Sequence, residues 1–465
     1  MLDIVLINPP VTLSKWEISL GSKLPPLSLA FLAGYLREKG VSVRILDACN
    51  LGLTINAILD YIAQHSPSYV GITATSIMVS SAAHLSTEIK KRFPGVTTII
   101  GGAHISALPK ETIEHFPCFD VGIFGEGEKT LFEIINTGKV DKTIRGIVFR
   151  DNGMTVKSDP REYISNLDDL PFPAYDLLND FPDFYIPTPN NYSCLPVVSI
   201  VSSRGCPYSC TFCPQNVFGR NTRSCSFDYL ASLIQYLQDK YNAREVCFYD
   251  DIFLSSKKGV SKFIDVLEKN KIKIPWSCEG RIGPADDQMY KEMKKAGCWQ
   301  ISFGVESGSQ TMLDYFNKKI KVEQVARTLS SVKKAKIKAR GYFIIGAPPE
   351  SLETLEETKK LIKSVPFDDI LFSFFSPLPG TPIYKQMIWD RDLDFNKINL
   401  FHVSYKPDNV TEDMLIGYTN SVYKSFYFNP KRLIRYSLML FNRHKTIHLA
   451  KSFLAFLKLI LAKKL

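Results

Sequence analysis

Three cysteines follow one another at short intervals near the middle of the chain: Cys206, Cys210 and Cys213. Thiolates separated by three and two residues on one loop can turn toward a common centre, and thiolates select zinc or iron–sulfur clusters. A structural zinc site needs four ligands, yet the other cysteines are scattered singly. The spacing therefore predicts an iron–sulfur cluster with one iron left open, in preference to buried thiols that cluster by chance.

The cysteine motif comes directly after a β-rich run, in a region where strands and helices alternate. The strands predicted here are Val197–Ser202, Glu245–Tyr249, Ile274–Ser277, Ile301–Val305, Ala339–Ile345 and Ile370–Phe375. Six strand–helix repeats in about 190 residues fit a (β/α) barrel, whose chemistry takes place at the carboxyl ends of the strands. The sequence thus predicts a partial (β/α)6 TIM-type barrel over residues 196–390.

The N-terminal part has the same alternation. Its predicted strands are Ile4–Asn8, Val41–Leu46, Tyr69–Thr73, Thr97–Ile100 and Val121–Phe124. Apolar strands separated by helices indicate a parallel sheet covered on both faces. The fold class is therefore α/β, with a doubly wound, Rossmann-like domain over residues 1–145. Such sheets bind ligands beyond the carboxyl ends of the strands, although tight turns without a ligand would give the same pattern.

The remaining segments differ in composition. Residues 146–195 are rich in proline and are interpreted as an ordered linker, and residues 391–430 as a C-terminal extension. The net charge is +10, of which residues 431–465 carry nine positive charges and no acidic residue. This tail is predicted to form a helix with a broad apolar face and flanking lysines, which is typical of a helix lying on an anionic membrane. Packing of that face on the barrel or on a second subunit is the alternative.

The composition excludes an intrinsically disordered, a collagen-like or a coiled-coil protein. Hydrophobic residues make up 45% and charged residues 22%, which is typical of folded globular proteins. No apolar run reaches the roughly 18 residues of a spanning helix, and the first residues predict a strand rather than a secretory signal. The ten cysteines indicate a reducing compartment. We therefore expect a cytoplasmic protein, with peripheral contact to the cytoplasmic face of the membrane through residues 431–465.

The cysteine motif, with Phe212 immediately before its last cysteine, resembles that of the radical S-adenosylmethionine superfamily. The resemblance implies that Cys206, Cys210 and Cys213 hold a [4Fe-4S] cluster whose open iron chelates S-adenosylmethionine. Reductive cleavage of that sulfonium then yields a 5′-deoxyadenosyl radical, which is chemistry that belongs to the cofactor. A low-potential electron donor such as flavodoxin or ferredoxin is implied as a partner.

Later segments resemble the strand ends that contact S-adenosylmethionine in this superfamily. They are Phe248–Phe253, Glu279–Arg281, Phe303–Gly308 and Gly341–Glu350. The contacts implied by the resemblance are Phe212, Asp250, Arg281, Glu306, Ser307 and Gly346. For Asp250, and for the adjoining Asp251, capping of a helix after the strand is the alternative role.

The pairing of an N-terminal doubly wound sheet with this barrel resembles the cobalamin-binding subclass. A D-x-H-x-x-G loop supplies a cobalt ligand in related cobalamin domains, and this chain has Cys49 at the histidine position between Asp47 and Gly52. Ligation by imidazole is therefore not expected there, and Cys49 is interpreted as a bystander rather than a thiolate ligand. His104 contacts cobalamin or completes a turn. The contacts implied by the resemblance are Asn8, Asp47, Cys49, Gly52, Ser76, Gly101, Gly102, His104, Gly125 and Glu126.

These resemblances imply a cobalamin-dependent radical enzyme that methylates an unactivated carbon. The basic tail favours a small-molecule substrate that is apolar or lipid-like, such as a polycyclic isoprenoid or a tetrapyrrole. Two alternatives stay open. One is oxidative cyclisation or carbon–carbon bond formation on a tetrapyrrole or lipid without methyl transfer, and the other is a non-catalytic cobalamin sensor. Nucleic acid is not an expected partner, since no RNA-binding domain is recognisable.

Overall fold

The computed structural model describes residues 2–11, 22–253, 256–283, 285–387, 402–430 and 432. The helix expected over residues 431–465 lies outside the described residues apart from Arg432, so membrane contact through this tail stays a prediction. Among the helices that are described, none combines the length and apolar character that crossing a membrane would require.

The N-terminal domain is a seven-stranded sheet with the strand order β2-β1-β3-β4-β5-β6-β7. Its strands are β1 (Ile4–Asn8), β2 (Val43–Asp47), β3 (Tyr69–Thr73), β4 (Thr97–Gly101), β5 (Val121–Ile123), β6 (Ile147–Asp151) and β7 (Met154–Lys157). Its helices are α1 (Leu27–Glu38), α2 (Ala48–Leu51), α3 (Ile55–His65), α4 (Val79–Arg92), α5 (Ala103–Ala107), α6 (Pro109–His115) and α7 (Glu128–Thr137).

The first five strands pair in parallel, which confirms the expected doubly wound domain. Along β1, Ile4 and Leu6 pack into one apolar core while Val5 and Ile7 pack into another, because successive side chains of a strand point to opposite faces. The sheet is therefore buried on both sides. Its ligand-binding edge is the one at which the five parallel strands end.

The antiparallel hairpin β6–β7 differs from the sequence interpretation, which placed residues 147–157 in the linker. β6 pairs with β5 and extends the sheet. The outer strand β7 is short and half-exposed, so it lacks the apolar alternation by which strands are recognised in a sequence. Linker residues after this hairpin run across the second domain.

The second domain is a six-stranded parallel sheet with the strand order β15-β14-β13-β12-β11-β8. Its strands are β8 (Val197–Ile200), β11 (Glu245–Phe248), β12 (Trp276–Gly280), β13 (Cys298–Glu306), β14 (Lys338–Ile345) and β15 (Asp369–Phe374). A short antiparallel ribbon of β9 (Ser203–Arg204) and β10 (Arg223–Ser224) follows β8. The helices are α8 (Phe227–Tyr241), α9 (Lys257–Lys269), α10 (Asp287–Lys295), α11 (Gln310–Tyr315), α12 (Val322–Lys334), α13 (Leu352–Ser364), α14 (Pro382–Gln386) and α15 (Glu412–Tyr427). The expected partial (β/α)6 barrel is confirmed.

Aromatic side chains fill the layer between the barrel strands and their helices. Phe248 and Trp276 on neighbouring strands contact Phe263 of α9 with ring centroids 5.4 and 5.6 Å away. Residues that alternate with these along the strands face the inside of the barrel. The result is a rigid sheet whose carboxyl ends present loops to one side, as barrel enzymes require.

A buried carboxylate holds the end of the linker against the opposite, amino-terminal end of the barrel. Glu245 is fully buried, and it accepts hydrogen bonds from the backbone N–H groups of Ser193 (2.6 Å) and Cys194 (2.9 Å). The indole N–H of Trp299 donates to its second oxygen at 2.8 Å. Because these donors satisfy the charge, a carboxylate is tolerated in the core.

Candidate active site

The three cysteines lie on the loop 205–222, whose base is closed by the β9–β10 ribbon. All three are half-buried and free of disulfides. The loop is pinned at several points: the Cys206 N–H donates to the Gly219 carbonyl at 3.3 Å, and the Gln215 amide donates to the carbonyls of Cys206 (3.0 Å) and Tyr208 (2.7 Å). Bonds within the loop, from its backbone and from the Gln215 side chain, thus fix its conformation.

Burial governs the ionisation of the thiols in this loop. It raises the pKa of Cys213 to about 12 and also raises the pKa of Cys206. A guanidinium nitrogen of Arg281 lies 3.9 Å from Sγ of Cys210, and its Cζ stacks 3.8 Å above the ring of Tyr208. Neutral buried thiols lose their protons when a metal binds, so loading of this loop is expected to release protons.

The donors of this loop are three thiols, which suit an iron–sulfur cluster. Within the described ranges, no group of three His, Cys, Asp or Glu side chains is placed to hold one metal ion. A [4Fe-4S] cluster instead distributes its thiolate ligands over different irons. Cys206, Cys210 and Cys213 are the residues that would hold such a cluster, and its chemistry would be one-electron transfer to a bound sulfonium.

Two consecutive aspartates after β11 hold the segment that leads into the cysteine loop. Asp250 is buried and accepts hydrogen bonds from the N–H groups of Ser202 (2.6 Å) and Ser203 (2.8 Å), and from the Ser202 hydroxyl (2.5 Å). Asp251 accepts from the Gly205 N–H at 3.0 Å. Burial raises the pKa of Asp250 to about 6. Asp250 therefore binds the chain at the end of β8 and does not cap the next helix, whose N-cap is Ser256, and its contact with S-adenosylmethionine stays a prediction.

The end of β13 carries a strained, charged pair. Glu306 adopts a φ of 69°, which L-residues rarely do, and its carboxylate lies 2.5 Å from Nζ of the buried Lys318. The hydroxyl of Ser307 contacts that of Thr358 at 3.0 Å on α13. Strain of this kind concentrates at functional sites. The structure thus places Glu306 and Ser307 at the carboxyl edge of the barrel, near the Phe212 ring that lies 5.9 Å from Nζ of Lys318.

The turn after β14 is closed by a buried glutamate. Gly346 has a φ of +86°, a conformation that favours glycine, and its N–H donates to the Glu350 carboxylate at 3.0 Å. The Thr354 hydroxyl also donates to Glu350. Burial raises the pKa of Glu350 to about 7 from an ordinary value of 4.5.

Replacement of Glu350 by glutamine is expected to make the protein more stable than the wild type at neutral and higher pH. Because the raised pKa means that the native carboxyl binds its proton more tightly than the unfolded one, the wild type loses stability between about pH 4.5 and about pH 7. The neutral amide of glutamine can still accept from the Gly346 N–H and does not ionise. The free energy of unfolding of the variant should therefore exceed that of the wild type by an amount on the order of 1–3 kcal/mol. Thermal midpoints at about pH 5 and about pH 8 test it.

The expected gain of Glu350→Gln over wild type is near zero at the lower pH and appears at the higher one. Glu353→Gln serves as the control, since Glu353 is an exposed residue in the first turn of the same helix. A gain that is equal at both pH values would contradict the assignment of the raised pKa.

At the N-terminal domain, Asp47 gathers the ends of β1 and β2. Its carboxylate accepts from the side-chain amides of Asn8 (2.8 Å) and Asn50 (2.7 Å) and from the Tyr185 hydroxyl (3.1 Å) of the linker. Cys49 is half-buried beside it, and both burial and the Asp47 charge raise the pKa of that thiol. The interpretation of Cys49 as a bystander stays a prediction.

The next strand ends bring together the other predicted contacts. Nδ1 of the buried His104 lies 3.0 Å from the Ser76 hydroxyl, and burial lowers the pKa of His104 to about 4. Gly102 adopts a φ of +102°, and a Cβ there would meet the Ala74 carbonyl oxygen at 2.9 Å. A glycine is therefore required where the β4 turn crosses the β3 turn, and His104 is a neutral imidazole at physiological pH.

A cavity of about 230 Å³ runs between the two domains. On the sheet side it is lined by apolar residues and by strand-end glycines, and on the barrel side by residues of the cysteine-loop base. The lining includes Leu6, Phe31, Ile99, Gly101, Gly102, Ile123, Gly125, Glu126, Glu128, Ser203, Arg204, Phe218, Tyr249 and Asp251. A Cβ added at Gly101 or Gly125 would meet no atom within 4 Å.

The cavity lies at the strand ends from which the sequence predicts cobalamin contacts. Four of the predicted cobalamin contacts line it: Gly101, Gly102, Gly125 and Glu126. The other six, including Asp47 and His104, are not among its lining residues. The glycines would let cobalamin approach the backbone closely, and when bound it would supply a carrier for a methyl group.

Buried ion pairs join the domains at the edge of this cavity. The guanidinium of Arg204 lies 2.8 Å from Glu126 and 2.6 Å from Glu128, and Arg223 lies 3.0 Å from Glu126. The Ile164 N–H also donates to Glu126 at 2.7 Å. The Glu126 carboxylate is thus fully engaged by protein groups, and its direct contact with cobalamin stays a prediction.

The inside of the barrel below the cysteine loop is polar. Glu279 of β12 is half-buried on the interior face of the barrel, and the Tyr342 hydroxyl of β14 donates to it at 3.4 Å. Burial raises the pKa of Glu279 to about 7. Tyr249 stands in the same interior and also lines the interdomain cavity. A substrate entering from the loop side therefore meets hydrogen-bonding groups beneath it.

Fold and site together define a two-domain enzyme with a thiolate loop at the mouth of a barrel and a cofactor cavity against a Rossmann-like sheet. Two family models match the chain: the B12 binding domain over residues 17–135 and the radical SAM superfamily over residues 200–362. An uncharacterized methyltransferase of Pyrococcus horikoshii is 31% identical over 94% of this chain and 94% of its own. The chain belongs to the cobalamin-binding radical S-adenosylmethionine enzymes.

Other relatives and solved structures agree with this assignment. An anaerobic magnesium-protoporphyrin IX monomethyl ester cyclase of Rubrivivax gelatinosus is 27% identical over 89% of this chain and 75% of its own. A hopanoid C-3 methylase of Methylococcus capsulatus is 24% identical over 82% and 72%. Among solved structures, the cobalamin-dependent radical enzyme OxsB superimposes with a TM-score of 0.75 at 19% identity, covering 98% of this chain and 72% of that one. The cofactors are a [4Fe-4S] cluster, S-adenosylmethionine and cobalamin.

Several residues of the site were not assigned from the sequence. Arg204 lies two residues before the cysteine motif and Glu128 two residues after Glu126, yet their ion pair joins residues 76 apart. Lys318 and Tyr185 belong to no motif that the sequence analysis identified. A basic residue just ahead of the cysteines and acidic residues after β5 were visible signals, but their pairing required knowledge of how the domains meet.

Proposed function

We propose that this protein is a methyltransferase that places a methyl group on an unactivated carbon of an apolar or lipid-like small molecule. The observation that carries the proposal is the interdomain cavity, which extends from Gly101, Gly102 and Gly125 to Tyr249 and Asp251 at the barrel mouth. When bound, the cluster and S-adenosylmethionine would supply the radical that activates the substrate, and cobalamin would carry the methyl group.

The chain's own residues have separable tasks in this proposal. The backbone of the strand-end glycines admits the cofactor, and apolar residues such as Leu6 and Ile99 keep water from its cavity. Glu279 and Tyr342 offer hydrogen bonds to a polar group of the substrate inside the barrel. Exclusion of water matters because a substrate radical must meet the methyl carrier before any other partner.

The substrate class rests on two supports. The names of relatives include a hopanoid methylase and a magnesium-protoporphyrin cyclase, whose stated substrates are a polycyclic lipid and a tetrapyrrole. The basic apolar tail at residues 431–465 is the other support.

Truncation of this tail is expected to reduce association with vesicles of anionic phospholipid, because nine cations are removed. Flotation of the vesicles measures this association.

The test is a product balance under anaerobic reduction. Cluster-loaded protein with hydroxocobalamin and S-adenosylmethionine is offered hopanoids, porphyrins and a total lipid extract, with deuterium in the methyl group of S-adenosylmethionine. Equal yields of S-adenosylhomocysteine and 5′-deoxyadenosine, with label in a product, support methylation. Deoxyadenosine and an unlabelled product support the second candidate, radical cyclisation, which the cyclase relatives favour. Absence of any cleavage would instead support a cobalamin sensor.

A further inference from the structure

The ribbon at the base of the cysteine loop is attached to the other domain through both of its strands. Arg204 of β9 and Arg223 of β10 lie directly opposite one another, and both reach Glu126. Arg204 uses a second nitrogen to bind Glu128, the first residue of α7. We call these four side chains the interdomain clamp. Cys206 is only two residues beyond Arg204, so the clamp acts at the start of the cluster loop.

The same segment is held from the barrel side by other carboxylates. Asp250 accepts from the N–H groups of Ser202 and Ser203, and Asp251 accepts from that of Gly205. Carboxylates of the barrel therefore fix the backbone of the segment, while carboxylates of the cobalamin domain fix its arginine side chain. The position of Cys206 thus depends on both domains at once.

Burial and charge indicate that the clamp specifies geometry rather than stability. The side chains of Arg204 and Glu126 are 5% and 4% exposed, and that of Glu128 is 5% exposed. Buried ion pairs pay a desolvation cost that well-packed apolar residues avoid, so they are weak evidence for stabilisation. Arginine is the side chain whose planar fork can serve two carboxylates with fixed directions. The two glutamates and two arginines also balance in charge, which permits their burial.

We propose that Arg204 is a positioning residue that sets the cluster loop in register with the cobalamin cavity through Glu126 and Glu128. The proposal rests on the cofactors of the family and not on the methyl transfer proposed above. It predicts that a change on the cobalamin domain, far from the cysteines in sequence, alters the cluster. It predicts equally that a change at Arg204, beside the cysteines, alters cobalamin binding, since Arg204 contacts both glutamates that line the cavity.

The test uses the full chain with three variants: Arg204→Gln, Arg204→Lys and Glu128→Gln. Partners that orient metal ligands typically contribute about 10–100-fold to affinity or activity, so reductive cleavage of S-adenosylmethionine to 5′-deoxyadenosine should fall by that factor. The electron paramagnetic resonance signal of the reduced cluster, and its shift on addition of S-adenosylmethionine, should change. The Kd for hydroxocobalamin of the cluster-free protein should rise by about tenfold, because Arg204 and both glutamates line the cavity.

The Arg204→Lys variant keeps the charge but cannot bridge two carboxylates. Its cleavage of S-adenosylmethionine and its Kd for hydroxocobalamin should therefore fall between those of Arg204→Gln and wild type. The double variant Arg204→Gln with Glu128→Gln should be no worse than Arg204→Gln alone, since loss of Arg204 already removes the contact with Glu128. Asp176→Asn is the matched control: it breaks the exposed pair of Asp176 with Arg37, which joins the N-terminal domain to the linker. It should leave the spectrum and the Kd unchanged.

Unchanged resonance spectra and an unchanged Kd in a folded Arg204→Gln variant would overturn the proposal, even if the thermal midpoint fell. That result would mean that the clamp only joins the two domains and does not position the cluster loop. If Arg204→Gln fails to fold, Glu128→Gln and Arg204→Lys decide by the same criteria. None of these readouts needs a methyl acceptor, so failure of the proposed methyl transfer would leave the outcome interpretable.

Discussion

Replacement of Cys213 by alanine is expected to remove the iron–sulfur cluster and to abolish cleavage of S-adenosylmethionine. Only three cysteines stand on the loop at the barrel mouth, so loss of one leaves two irons of a cubane without protein ligands. Loss of a group that only orients a metal ligand already lowers metal affinity by about 10–100-fold, and loss of the ligand itself lowers it further. Iron per chain should fall from about four to a small fraction.

The measurement is iron content after anaerobic reconstitution, together with 5′-deoxyadenosine formed under dithionite. Cys118→Ala is the control, since Cys118 is a half-buried thiol of the N-terminal domain. Retention of hydroxocobalamin by Cys213→Ala would show that the N-terminal domain is folded. A full complement of iron and normal cleavage in this variant would refute the assignment of Cys213 as a ligand.

The second large effect is expected from Gly101→Leu, which should prevent cobalamin binding while sparing the cluster. Gly101 ends β4 and lines the interdomain cavity, and a Cβ there meets no atom within 4 Å. The added side chain would therefore extend into the space that the cofactor needs without disturbing the empty protein. The Kd for hydroxocobalamin should rise at least about 100-fold.

The experiment is a spectroscopic titration with hydroxocobalamin followed by desalting. Gly95→Leu is the matched control, because Gly95 is an exposed glycine of the same domain whose Cβ position is also open. Wild type and the control should retain nearly stoichiometric cobalamin, whereas Gly101→Leu should retain almost none. Stoichiometric retention by Gly101→Leu would place the cofactor elsewhere. Failure of the wild type to retain cobalamin would deprive methylation of its carrier, and radical cyclisation would become the leading account.

Both large effects were foreseeable from local sequence, because each depends on a short motif. The three cysteines bring their thiols together through spacing alone, and the glycine pair follows directly from the end of a strand. By contrast, the expectation for Asp250 was divided between a cofactor contact and a capping role. Its two carboxylate oxygens accept three hydrogen bonds from Ser202 and Ser203. No local sequence pattern indicates which residues a buried side chain will contact.

The linker is the clearest difference between sequence and structure. Prolines identified residues 146–195 as irregular, and most of that segment does run between the domains. The hairpin at residues 147–157 nevertheless extends the sheet through β6. Edge strands of a few residues gain their stability from the neighbouring strand rather than from their own propensity, so this pairing could be recognised only once β5 was in place.

The sequence by itself determined the fold class, the order of the two domains, the cysteine motif and the glycine-rich strand ends. These follow from apolar periodicity and from residue spacing, which are local properties. The tertiary structure alone decided how the domains meet: the Arg204 contacts with Glu126 and Glu128, the Tyr185 bond to Asp47, and the cavity that reaches Tyr249. Each joins residues far apart in the chain, and such contacts arise only when folding has buried both partners against the same surface.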